Sequence, residues 1–363
     1  MESFTATAPG RLCLFGEHQD YLGLPVIALA IPLQCRIEAI PTCDRVLQLR
    51  VPALDKTFLY NLEDLPSRQT SLDDADFALA AIHEAIADGW EFPNGAICTS
   101  TTDIVMQAGC SSSTAFCTAW ILVLAKLAAK LEEVSDPLKL AQLAHKAEVL
   151  HFGAPGGTMD HATIAVGESC LRIGPGMWEI KRLGPLGAED GVWVLADSGD
   201  TKDTMGHLKR CKGDRLELLE KLGGTWDAEI GGGLNQDHAL LLRATLINRD
   251  TEREATKIWQ ASNASIGSKD EFTGERLGKL MLKHHEALRD GLNLSTPKLE
   301  AMREAAIVSG AWGFKLVGSG GGGCCVAWVP RERADAVSKA MIGVGAKSTW
   351  TIEKPSMGAK IMD

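Results

Sequence analysis

Val26 to Ile31 is a continuous apolar run, and apolar and polar positions alternate over Arg36 to Ile40 and again over Val46 to Val51. The first fifty residues therefore read as strands. Leu72 to Gly89 follows a helical period, with Asp residues at its start and Gly89 as its stop. Gly95 to Thr102 predicts a short strand. Ser111-Ser112-Ser113 opens a long apolar helix that runs to about Glu132, and Pro137 opens another that ends near Gly153. A glycine loop, Gly153 to Gly157, precedes a short helix over Met159 to Val166. The second half is richer in helices: Thr204 to Leu222, Gln236 to Ser262, Gly274 to Gly291 and Pro297 to Ser309. Strands are expected at Val192 to Ala196, Gly313 to Val317 and Cys324 to Val329, then a helix over Arg331 to Ile342 and a strand over Ser348 to Ile352. No strict β-α-β alternation is present, so the class is α+β rather than a doubly wound sheet.

With 363 residues, the chain has room for two domains at roughly 100–200 residues each. Glycine and proline cluster between Ile173 and Gly191, which places the division at residues 1–180 and 181–363. The net charge of -10 disfavours a nucleic-acid partner, which needs a basic face. A small anion can still be held locally by helix N-termini. Met1 to Gly10 lacks the pattern of an export signal. No run approaches the ~20 apolar residues that span a bilayer. The ten Cys lack a C-x-x-C pair and read as reduced, mostly buried thiols of a cytoplasmic protein with no membrane partner.

Four segments carry candidate chemistry. Gln107 to Ala115 places a glycine and three serines before a long helix. The turn can cap that helix through Ser111 or Ser112, or cradle a phosphate on its free amides and hydroxyls. Ala8 to Tyr21 gathers Arg11, Glu17, His18, Asp20 and Tyr21, either as a site for hydroxyl-rich substrate or as a solvated loop. Glu148 and Asp160 flank a glycine loop, an arrangement open to a metal ligand and a base or to two ordinary helix carboxylates. Lys315 to Cys325 holds four consecutive glycines between strand-like segments. Ordering them is entropically costly, which suits close backbone approach to a ligand or another loop better than a linker. Gly274 to Leu280 contains a Gly-Lys pair without Walker spacing and reads as helix surface.

In this order the four segments resemble the GHMP kinases, the family of galactokinase, homoserine kinase, mevalonate kinase and phosphomevalonate kinase. Gly16 to Tyr21 is similar to the galactokinase signature G-E-H-x-D-Y, and Gly109 to Ala115 to the family's phosphate loop. Ala147-Glu148 and Gly157 to Asp160 resemble the galactokinase A-E and G-I-M-D elements, with Thr158 replacing Ile. Leu277 to Glu300 resembles the helix-turn-helix before the third motif, and Lys315 to Cys325 the motif itself. The resemblance implies an N-terminal ribosomal protein S5 domain 2-like domain and a C-terminal ferredoxin-like domain, with ATP-dependent phosphoryl transfer to a hydroxyl in the cleft. It implies Asp160 as base and Arg11 as the charge that keeps it ionised. It assigns Glu17, His18, Asp20, Tyr21 and Gly157 to the sugar, and Gly109, Cys110, Ser111, Ser112 and Ser113 to ATP. Ser113 and Glu148 would hold Mg²⁺, and Gly318, Ser319, Gly320 and Gly321 form the third motif.

Several residues depart from the galactokinase pattern. The first motif starts early, at residue 8. Phe15 and Ala28 to Ile31 look more like mevalonate kinases, and Gln107 replaces a common glycine. Asp200 to Arg210 lacks the sugar-contacting Tyr, with His207 in its place. Asp20-Tyr21 and the acidity of Glu17 and Asp20 favour a polyol over a carboxylate such as mevalonate. The expectation is phosphorylation of the anomeric C1 hydroxyl of galactose or a related sugar by a monomer or homodimer. The alternatives are a mevalonate kinase-like or other small-molecule GHMP kinase, and a catalytically inactive sugar/ATP sensor.

Overall fold

The computed structural model describes residues 2–68, 71, 76–174, 178–184, 191–200, 204–227, 234–264 and 273–362. Its strands are β1 (Phe4–Phe15), β2 (Val26–Pro41), β3 (Val46–Val51), β4 (Lys56–Asn61), β5 (Ala96–Thr102), β6 (Cys170–Ile173), β7 (Ile180–Gly184), β8 (Val192–Asp197), β9 (Gly313–Leu316), β10 (Cys324–Val329), β11 (Ser348–Ile352) and β12 (Lys360–Met362). Its helices are α1 (Phe77–Ala87), α2 (Ser112–Leu127), α3 (Pro137–His145), α4 (Met159–Val166), α5 (Thr204–Lys221), α6 (Gln236–Ala264), α7 (Thr273–Glu286), α8 (Pro297–Val308) and α9 (Ala334–Gly343). The expected start of the first helix, Leu72 to Ala75, lies outside the described residues, as do parts of the Ile173 to Gly191 stretch. Cys13, Cys35, Cys43, Cys98, Cys110, Cys117, Cys211, Cys324 and Cys325 are free and, Cys43 apart, buried.

The first sheet runs β12-β1-β2-β5-β3-β4, with β6 and β7 added beside the start of β2. β2 changes partners along its length. Val26 to Leu29 pair with β6, and Cys35 to Pro41 pair with β5. Pro32 falls between those two ladders, where no donor is needed on that edge. The two strands expected over Val26–Ile31 and Arg36–Ile40 are thus one. Helices α2 and α4 pack on β1 and β2. β1 is buried along nearly its whole length, which erases the alternation that would have marked it as a strand. The chain ends in this sheet too, with Thr5 to Thr7 of β1 paired to β12.

The second sheet has the order β11-β8-β10-β9. Counted along the chain this is 4-1-3-2, the ferredoxin-like arrangement, with α8 and α9 against it. Both faces are covered, and alternate residues enter different cores. Val192, Val194 and Ala196 join Phe314, Met302 and Val337 beneath α8 and α9. Trp193 and Leu195 face the other way, with Trp328, Leu277 and Trp259. Burying each such large side chain contributes roughly 1.5–3 kcal/mol. The Trp193 and Trp328 ring centroids lie 4.1 Å apart. Gly278, expected on a helix surface, is instead the point where α7 touches β9. A Cβ there would lie 2.3 Å from the Trp312 carbonyl oxygen.

Two helices end differently from the expectation. The long helix from Pro137 widens out of α geometry into a π turn at Lys146–Leu150, and α7 does the same at Ala287–Gly291. Such turns add a residue to the helical spiral and re-aim the side chains around it. Among the described residues no helix is long and apolar enough to cross a membrane.

Candidate active site

A cavity of about 400 Å³ opens where β1, the Gly16–Gly23 turn, the start of α2, the π turn, the start of α4 and the third-motif loop meet. Arg11 enters it from β1. The register with β2 shifts between Pro9 and Gly10, and a Cβ on Gly10 would stand 2.9 Å from the Cys110 carbonyl oxygen. That oxygen accepts the Arg11 backbone N–H at 3.1 Å. The guanidinium then forks onto Asp160: Nε donates to Oδ1 at 2.6 Å and Nη2 to Oδ2 at 2.8 Å. Nη1 donates to the Gly109 carbonyl, and the Ser111 hydroxyl donates to Asp160 Oδ2. Burial pushes the Asp160 carboxyl up. The Arg11 charge, the Arg11 and Ser111 hydrogen bonds and the neighbouring His161 outweigh burial and hold it below its ordinary value.

Asp20 lines the same cavity and accepts the Met159 N–H at 3.3 Å. Among the described residues it has no ion-pair partner. Burial, and after it repulsion from Asp160, raise its carboxyl above the ordinary value. The two carboxylates are thereby pushed apart, one firmly ionised and one less so. Gly157 makes room for Asp20, since a Cβ there would lie 1.9 Å from Asp20 Oδ2.

At the start of α2, Ser111 takes left-handed backbone (φ 59°) and its hydroxyl does not cap the helix. Of the two readings of this turn, capping by Ser111 is therefore ruled out by geometry. The opening amides of α2 keep no side-chain acceptor from the cap, and Ser112 and Ser113 line the cavity. Gln107, which stands where a glycine was expected, has φ 55°. That conformation costs an L-residue roughly 1–2 kcal/mol, which accounts for glycine being the natural occupant.

The glycine run is a contact device. A Cβ on Gly318 would meet Gly109 Cα at 2.6 Å, and one on Gly323 would meet the Ala108 carbonyl oxygen at 2.6 Å. The Cys324 N–H donates to that same oxygen at 2.7 Å. Gly318 and Ser319 line the cavity, whereas Gly320 and Gly321 stand behind it, against Leu294 and His207. Cys110 is also set back from the cavity, its thiol buried in hydrogen-bonding contact with that of Cys324. Part of the Asp200 to Arg210 stretch, residues 201–203, lies outside the described residues.

Three cavity residues are held by partners that spacing did not signal. Glu17 Oε2 accepts from Lys315 Nζ at 2.7 Å, and the same ammonium donates to the Cys13 carbonyl at 2.7 Å. The charge of Glu17 is therefore neutralised within the fold, and repulsion of a carboxylate substrate would rest on Asp20. The one available hint was a lysine inside the apolar strand Gly313 to Val317. Arg215, fully buried, donates from Nη2 to the Tyr21 hydroxyl at 2.6 Å. Arginine only donates, so Tyr21 directs its own proton to His18 Nδ1, 2.9 Å away. His18 Nε2 then carries the hydrogen given to the Ser319 carbonyl at 3.1 Å. This relay ties the Gly16–Gly23 turn to the third motif.

Glu148 reaches the cavity from the π turn, and its Oε2 has no hydrogen-bond partner. His161 Nε2 lies within ion-pair distance of that oxygen, at 2.9 Å, although among the described residues neither atom makes a hydrogen bond. His161 was not singled out from the sequence. Together with Ser113, an orphaned buried carboxylate oxygen is the kind of hard donor that suits a divalent cation.

The first 41 residues match the galactokinase galactose-binding signature. Residues 76–168 match the GHMP kinases N terminal domain, and residues 270–347 the GHMP kinases C terminal. The chain is 28% identical over 356 residues to a galactokinase of Mycobacterium tuberculosis, covering 93% of each. It is 27% identical over 361 residues to a mevalonate kinase of Thermococcus gammatolerans, covering 97% of each. Among solved structures, Lactococcus lactis galactokinase complexed with galactose superposes with a TM-score of 0.83 at 20% identity, covering 99% of this chain and 95% of that one. Methanococcus jannaschii mevalonate kinase gives 0.71 at 21% identity, covering 98% of each. The Gly109–Ser113 loop, the Arg11–Asp160 pair and the start of the glycine run meet in one cavity inside these matched domains, and the chain belongs to the GHMP kinase family.

Proposed function

We propose that the protein transfers the terminal phosphoryl group of ATP to the anomeric C1 hydroxyl of a monosaccharide, galactose or a related sugar. The observation that carries this reading is the pairing of two unlike carboxylates in one cavity: Asp160 clamped by Arg11, and Asp20 with no ion-pair partner among the described residues. Asp160 accepts the proton of the attacking hydroxyl. Because Arg11 and Ser111 depress its basicity, the proton moves late, as the oxygen–phosphorus bond forms. Arg11 stays fixed between Asp160 and the Gly109 carbonyl, so its positive charge faces the transferring group without reorganising. The uncapped start of α2, with Ser112 and Ser113, receives the phosphates. Ser113 and Glu148 would hold Mg²⁺, which would supply charge neutralisation on the phosphates. Asp20 takes hydrogen bonds from sugar hydroxyls, and Gly157 gives them room. His18 and Tyr21 shape the wall through their relay to Arg215 and Ser319.

The galactose-binding signature over residues 1–41 supports a sugar. The comparable identity to mevalonate kinases keeps mevalonate as the second reading, and the unclamped carboxyl of Asp20 opposes it. A coupled ADP-release screen over galactose, arabinose, fucose, other monosaccharides, uronic acids and mevalonate decides between them. Turnover with neutral sugars and none with mevalonate is expected. Turnover with mevalonate alone overturns the sugar assignment. Binding of sugar and ATP without turnover identifies a sensor.

A further inference from the structure

His161 lines the cavity, and the only role it has above is a minor one beside Asp160; with its Nε2 on a cation, the cation's charge would take over that role. His161 sits in the first turn of α4, next to Asp160, and is 2% exposed. Its Nε2 and Glu148 Oε2 are 2.9 Å apart, and neither atom makes a hydrogen bond. Two buried polar atoms this close, without a hydrogen bond between them, leave both desolvated unless a charge joins them. The separation has a different meaning around a metal. Ligand atoms about 2.1 Å from an octahedral cation, in neighbouring positions, stand about 3.0 Å apart. The ring is also fixed in plane. His145 packs edge-on against it with centroids 4.9 Å apart, and Trp178 packs edge-on against His145 at 5.6 Å.

Building on the kinase reading, we infer that His161 Nε2 joins Glu148 as a ligand of the nucleotide's divalent cation, and that this nitrogen tilts the site from Mg²⁺ toward Mn²⁺ or Co²⁺. Carboxylate, hydroxyl and phosphate oxygens suit Mg²⁺, whereas an imidazole favours metals further along the Irving–Williams order. Among the described residues His161 Nδ1 has no hydrogen-bond partner, whereas the second nitrogen of a dedicated metal histidine is usually held by one. The cation therefore arrives with the nucleotide rather than residing permanently.

Mn²⁺ bound to the native protein, alone and with a non-hydrolysable ATP analogue, tests this by electron spin-echo spectroscopy. Modulation from a directly bonded ¹⁴N is expected. It should change to the ¹⁵N pattern when the histidines are ¹⁵N-labelled, and disappear in His161→Gln. In that variant Mn²⁺ affinity should fall at least about tenfold, with Mg²⁺ affinity changed less. Mn²⁺ bound without nitrogen coupling overturns the inference, as does coupling that survives His161→Gln or an unchanged Mn²⁺/Mg²⁺ preference. Labelling of the native protein decides the question even if the variant does not fold. An analogue that binds with Mn²⁺ but shows no nitrogen defeats this assignment alone. Nitrogen coupling with Mn²⁺ alone, and no binding of the analogue, overturns both the assignment to a nucleotide-borne cation and the kinase reading.

Discussion

Two ion pairs stand within a few residues of each other on the first motif and lead opposite lives. Arg11–Asp160 faces the cavity, and the Asp160 side chain keeps 26% of its surface open. Lys315–Glu17 is sealed, at 0% and 3%. Each joins a cation to a carboxylate across a long stretch of chain, and each draws a backbone carbonyl into the cluster. The open pair leaves a depressed, ionised carboxylate where a substrate can reach it. The closed pair leaves no surface for substrate and works as a clamp between the Gly16–Gly23 turn and β9. Charge type and motif membership therefore do not assign a role; solvent access does. Glu17, one of the sugar-contact residues implied by resemblance, is engaged by the clamp.

The comparison breaks most visibly if Asp160 is neutralised. Asp160→Asn keeps an acceptor for Arg11, so kcat should fall by about 10²–10⁴ while calorimetric ATP binding stays near native. Retained turnover would remove Asp160 from the role of base. On the sealed side, Lys315→Met leaves Glu17 buried and unpaired. It should cost about 3–5 kcal/mol in denaturant unfolding, and a further Glu17→Gln change should recover part of the loss. Additive losses in the double variant would show that the pair is not coupled.

Smaller effects sharpen the contrast within the cavity. Gly157→Ala drives a methyl group into Asp20 and should raise the acceptor KM more than about tenfold, given the poor tolerance of close-packed sites for added volume. The nucleotide KM should hardly move; equal changes in both would place Asp20 outside the acceptor pocket. The mildest lever is pH. Asp20 has a raised value and Asp160 a lowered one, so on acidification Asp20 takes up its proton first. The acceptor KM should therefore climb a few-fold before kcat declines. A kcat that falls first would reverse the assignment of the two carboxylates.

Local chemistry made much of this protein legible in one dimension. The helix over Met159 to Val166 and the strands over Cys324 to Val329 and Ser348 to Ile352 match their expected limits, because caps, glycines and apolar runs act over a few residues. The phosphate loop, the Asp160 segment and the glycine run could be read as chemistry for the same reason. β1 was harder to see because burial on both sides removes its alternation, and the short strand β12 and one edge of β6 pair with β1 and β2, far away in the chain; β4 and β7 pair with the strands next to them, β3 and β6. Gly278 shows no local sign that Trp312 lies against it.

What the chain alone determined is which residue types stand ready: three serines before a helix, a carboxylate after a glycine loop, an arginine after Pro9-Gly10. What only tertiary structure decided is which of them keep their charge for a substrate. Lys315 is 298 residues from Glu17, and Arg215 is 194 from Tyr21. Hydrogen bonding and desolvation depend on distances of a few ångströms in space. No pattern of spacing along a chain encodes those distances until the sheets are packed.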